Sequence, residues 1–145
     1  MKQIRKSVFE TNSSSTHSLV VDEHSSLLEQ PFSEAETQQG YITVCSGEFG
    51  WDNDVFYDPG VKLSYLYTDI CSSGNDIRRL ECMDILKEAV KQHTGLDVVF
   101  DTSDCGYIDH QSAGLCDDVW TKGIDGVIDF VFRTGSHLKT GNDNE

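Results

Sequence analysis

Three polar strings carry the side chains best suited to chemistry. The first, ETNSSSTHS, spans residues 10–18 and includes Asn12, Ser13, Ser14, Ser15, Thr16 and His17. Hydroxyls and turn N–H groups of this kind can cradle a phosphate. The spacing is not that of a P-loop, however, and a solvated turn capping its own backbone fits the same residues. The second string, GYIDHQS, spans residues 106–112 and offers Asp109, His110, Gln111 and Ser112. His110 suits acid, base or ligand work near neutral pH if it faces a cleft. Asp109 cannot orient it by adjacency, because neighbours on a strand point to opposite faces. An ordinary loop histidine is the plainer reading. The third string, TGNDN, spans residues 140–144, where Asn142 and Asp143 could line a polar pocket or bind a hard cation, although such tails usually fray.

No nucleophile elbow is present. A two-histidine phosphoesterase needs two His-x-Ser/Thr motifs, and only His110-Gln111-Ser112 has that spacing, because Ser18 follows His17 directly. The balance leans away from an enzyme. The strings are each hard to explain as core, so they are expected to converge on one mouth.

The formal net charge is −14, from 25 acidic and 11 basic residues. That disfavours direct nucleic-acid binding, where a basic face supplies most of the affinity, and disfavours an anionic membrane surface. Solubility alone accounts for such a charge; a sharper reading is an acidic face that meets a basic partner protein. Eight Asp and one Lys lie between Asp97 and Asp129. The candidates for that face are Asp97, Asp101 and Asp104 on one stretch, and Asp117, Asp118, Asp125 and Asp129 on the next.

The five cysteines, at 45, 71, 82, 105 and 116, include no C-x-x-C pair and follow no apolar leader, which reads as reduced thiols in a cytoplasm. Their spacing offers no metal site, and no cofactor is expected. No stretch approaches the roughly 18 apolar residues of a membrane span.

The elements that must position the strings follow from periodicity. A single domain, 1–145, is expected, with no internal linker or repeat. Residues 3–9 alternate weakly as an opening strand, Ser18 to Val21 reads as a buried strand, and residues 41–45 form the clearest strand. One helical turn is expected near 26–29, and an irregular loop over 46–58 pinned by Trp51, Phe56 and Tyr57. Asp58-Pro59 opens a helix with Val61, Tyr65, Leu66 and Ile70 inward. A longer helix runs from Asp76 to about Thr94, with Ile77, Leu80, Met83, Leu86 and Val90 inward and Gly95 as its cap. Residues 97–101 form a strand, and 102–121 read as loop with a strand fragment at Tyr107-Ile108. A last helix covers Ile124 to Phe132, closed by Gly135, and 136–145 read as a polar tail. The order predicts an α+β fold: a small, mainly antiparallel sheet packed by a helical hairpin and a third, C-terminal helix.

The opening KQIRKSVFETNSSSTHSLVV resembles the start of an uncharacterised family of bacteriophage and prophage proteins. LKEAVKQHTG at 86–95, GYIDHQS and TGNDN extend the resemblance to the middle and end of the chain. The resemblance implies context rather than chemistry: a small protein made in the cytoplasm of an infected or lysogenised bacterium. The expected function is that of a phage-encoded accessory protein that binds a host or anti-phage-defence protein. The alternative is a nucleotide- or phosphate-binding protein or hydrolase built on the polar strings.

Overall fold

The computed structural model describes residues 15–50, 52–103, 106–108 and 115–142. The fold is α+β, with one hydrophobic cluster running through it. Asp58 opens α2 (Pro59–Cys71) by accepting from the Val61 N–H, with Pro59 in the first turn where no N–H is needed. Asn75 caps α3 (Asp76–Thr94) in the same way, and Gly95 closes it at φ +81°, a left-handed conformation that glycine adopts without strain. The two helices form the expected hairpin. Both pack on a parallel pair, β2 (Tyr41–Cys45) beside β5 (Asp97–Asp101), in register from Tyr41↔Asp97 to Cys45↔Asp101. Ile42, Val44 and Val98 point into the core, while Tyr41, Thr43 and Val99 on alternate positions stay exposed.

The antiparallel sheet is separate from this pair. Its order is β1 (Ser15–Val20), β7 (His137–Asn142), β4 (Asp54–Phe56). The expected polar tail is thus the central strand. Leu138 is fully buried between Leu19 and Phe56, and Thr140 lies inward between His17 and Asp54. Period-two burial of Leu138 and Thr140 turns a polar segment into core. α5 (Ile124–Phe132) packs on α3 and on α4 (Asp117–Lys122), and buries Val127, Phe130, Val131 and Phe132. It ends at Phe132 as expected, with Arg133 rather than Gly135 in the capping position.

Other expectations are corrected. The first described strand begins at Ser15, with His17 buried and Val20 exposed, so the Ser18–Val21 run is not a buried strand. The short early helix is α1 (Glu34–Gln39), fixed by a Ser33–Glu36 capping box, not a turn at 26–29. Residues 46–58 contain β3 (Glu48–Phe49) and β4 rather than irregular loop alone, and α4 lies within the expected loop 102–121. Ile77 and Leu80 are 72% and 63% exposed, because α3 buries Cys82, Leu86, Ala89 and Val90 along a different stripe. No described helix is long and apolar enough to cross a membrane.

Candidate functional site

The described ends of the first and third polar strings lie side by side in the antiparallel sheet, and the second runs in a separate pair beside β3. β1 and β7 are neighbours, so Ser15 faces Asn142, Thr16 faces Gly141 and His17 faces Thr140. The second string begins at Gly106, where an added Cβ would lie 2.1 Å from the Gly47 carbonyl oxygen. Only glycine permits that approach, and it brings β6 (Tyr107–Ile108) alongside β3, with Ile108 opposite Phe49.

His17 ties these pieces together. It is 8% exposed, and its Nε2–H donates to the Gly50 carbonyl at 3.0 Å. A carbonyl can only accept, so in the neutral ring Nδ1 is the acceptor, and the Tyr65 hydroxyl donates to it at 2.9 Å. Burial pushes the Tyr65 phenol far above its ordinary range, with Cys116 and Asp69 adding to the effect, so it remains a donor. The Tyr65 ring also meets the rings of His17 and Phe49 edge-on, at 5.8 and 4.9 Å between centroids. Thr140 closes the cluster by donating to the Asp52 carbonyl at 2.6 Å. In this arrangement His17 locks β1, β3 and α2 to one another. Tyr65→Phe is expected to destabilise the fold by about 1–2 kcal/mol, because buried Nδ1 loses its donor. Urea unfolding checks the magnitude, and long-range imidazole 15N spectra should show the Nε2–H tautomer in the wild type.

Asn12, Ser13, Ser14, Asp104, Asp109, His110, Gln111, Ser112 and Asp143 lie outside the described residues. The backbones of Ser15, Thr16 and Asn142 are described, their side chains are not.

The described acidic candidates are spread out, and three of them already face cations. Asp97 pairs with Lys91 at 3.1 Å and Asp117 with Arg78 at 2.7 Å. Arg78 and Lys91 stand near opposite ends of α3, roughly 20 Å apart along its axis at 1.5 Å per residue. Asp129 is half-buried against Arg133 at 2.8 Å. Asp101 accepts from the hydroxyl and N–H of Ser103, which hold its carboxyl below the ordinary range. Asp118 and Asp125, in the first turns of α4 and α5, are exposed and have no ion-pair partner among the described residues.

Two features escaped the sequence reading. Lys62 is fully buried on α2 and donates to the Ser136 carbonyl at 2.9 Å, with its ammonium 5.7 Å from the centre of the Phe130 ring. The signal was present: Lys62, Tyr65, Leu66 and Asp69 recur at helical spacing on one stripe. Asp69 likewise turns inward and accepts from the Trp120 indole at 3.0 Å. The second feature is a cleft of about 350 Å³ between β2, the start of α2 and the Pro31–Glu36 segment.

Among the described residues no three His, Cys, Asp or Glu side chains are grouped to hold a metal ion. No family model matches the chain, and no curated protein or solved structure matches it significantly.

Proposed function

We propose that the protein works by binding another protein, not by catalysis. In this reading it is a phage- or prophage-encoded accessory protein of the bacterial cytoplasm. Its partner is a host or anti-phage-defence protein with a basic surface. The observation that carries the reading is His17. It is the histidine of the polar strings that lies within the described residues, and it is buried with both ring nitrogens engaged. Such a histidine positions strands. It does not present a nitrogen to a substrate.

The negative charge then supplies the attraction, and the exposed, unpaired carboxylates are the ones free to meet a partner. Asp118→Asn combined with Asp125→Asn is expected to slow association roughly threefold to tenfold and leave the melting temperature unchanged. The same complex should weaken steeply with added salt, because screening sets in beyond about 8 Å at physiological ionic strength. Asp117 and Asp97 matter less, as each already faces a cation.

A second reading is favoured by the pairing of the first and third strings: a pocket for a phosphate-bearing ligand or a hydrolase centre, completed by Asp109 and His110. It predicts that His110→Ala abolishes activity while the Asp118/Asp125 pair changes little. Measuring both variants in one phage-protection or partner-binding assay separates the two. Wild-type rates for the aspartate pair together with loss for His110→Ala would overturn the protein-binding reading.

A further inference from the structure

We infer that the cleft beside β2 receives an extended basic segment of the partner, which adds to β2 as a new strand. The inference rests on the protein-binding reading and gives that reading a place on the molecule.

Among the described residues strand β2 has one neighbour, β5. The Asp97 N–H donates to the Gly40 carbonyl at 3.0 Å, and Tyr41 stands opposite Asp97, so the ladder to β5 runs through residues 40, 42 and 44. Thr43 therefore turns its N–H and C=O the other way. Neither group has a partner among the described residues. Outward backbone groups on an edge strand are the template for strand addition.

The cleft runs along that edge. Phe32, Ile42 and Leu63 give it an apolar floor. Glu36 and Asp58 supply two carboxylates, and no Lys or Arg is among the described lining residues. An Arg or Lys side chain matches this lining, with its aliphatic stem on the floor and its cationic head at the carboxylates. The charge sign selects a basic segment, and the free Thr43 groups select an extended one. Both carboxylates already cap helices, Glu36 within its capping box and Asp58 at the start of α2, so they are held in place before a partner arrives.

The test uses the full chain and a labelled peptide of about eight residues alternating Arg and Thr, a length that spans an edge strand. Controls are the Glu counterpart and the Arg peptide N-methylated at alternate residues, which cannot pair. Thr43→Pro removes the outward N–H without touching the ladder to β5. Glu36→Gln with Asp58→Asn removes the charges but keeps residues that cap well, and it covers the case in which the proline variant misfolds. Fluorescence anisotropy should show binding of the Arg peptide to wild type, at least tenfold weaker binding to each variant, and none for either control. Thr43 amide exchange should slow in the complex.

Equal binding by the variants, equal binding of the N-methylated peptide, or no binding of the Arg peptide overturns the inference. So does protection of Thr43 in a homodimer, since a second copy would then be the occupant. Capture from a bacterial lysate distinguishes the two levels. A partner retained equally by wild type, Thr43→Pro and the charge variant leaves the binding reading standing and removes the β2 site. No partner retained by wild type removes both.

Discussion

Ending the chain after Ser136 abolishes cooperative folding. The deletion removes β7, the central strand, to which both β1 and β4 are paired. Without it, β1 and β4 lose their backbone hydrogen-bond partner together, and the inward faces of Leu19, Phe56 and His17 lose their cover. A point change grades the same effect. Leu138 is fully buried, and Leu138→Ala should cost about 2–5 kcal/mol, the usual range for emptying a well-packed leucine site. Lys139→Ala on the exposed face of the same strand should cost well under about 1 kcal/mol. Circular dichroism melts and urea titrations read all three. A truncated chain that melts at the wild-type temperature would show that 137–142 is the dispensable tail its composition suggests.

Stability that rises between pH 8 and 10.5 is the mark expected of Lys62. Burial lowers its ammonium from 10.5 to about 8, and the neighbouring Asp58 carboxylate opposes that shift only in part. Between those values the unfolded chain holds the proton and the folded chain does not. The unfolded state then binds more protons, so stability increases with pH across that window, by about 3 kcal/mol in all. Below pH 8 both states are charged and the cost of the buried ammonium is constant.

Other groups titrate nearby in the opposite sense. Burial raises the Cys82 and Cys116 thiols and the Tyr65 phenol, so each stays protonated in the folded state after the unfolded chain has lost its proton. The clean measurement is therefore the difference between wild type and Lys62→Met, which keeps the volume against Phe130 and removes the charge. Wild type should gain on the variant by about 3 kcal/mol from pH 7.5 to 10.5. A constant difference across that range would mean that Lys62 keeps its proton in the fold. The variant also leaves the Ser136 carbonyl without its donor, which sets the offset between the curves but not their slope.

The parts legible in the sequence are those that short-range chemistry dictates. Asp58-Pro59 starts α2 and Gly95 stops α3 because caps satisfy backbone groups within a single turn. Residues 41–45 and 97–101 are strands in the sequence and in the fold, since β-branched alternation leaves few other conformations. The α+β class follows from the order of those elements. The candidate site was legible only as polar strings. That two of them are hydrogen-bonded neighbours depends on β1 pairing with β7 across more than a hundred residues of chain, which no local pattern encodes.

Tertiary structure decided the features on which function is argued. Ile77, Leu80, Met83 and Leu86 follow one another at three-residue steps, but each step falls about 60° short of a full turn, so the series drifts from the exposed side of α3 at Ile77 to the buried side at Leu86. His17 and Lys62 are polar by type and buried by place, because Tyr65, Gly50 and the Ser136 carbonyl meet their hydrogen bonds. Asp97 and Asp117, read as parts of one acidic face, are neutralised by cations about 20 Å apart along α3. Sequence determined the segments with strong caps or clear periodicity, α2, α3, α5, β2 and β5, because capping and periodicity act within a few residues. Which of those segments became central, which carboxylates stayed unpaired and which strand edge stayed open was decided by long-range packing, where a residue's neighbours, not its type, set its energy.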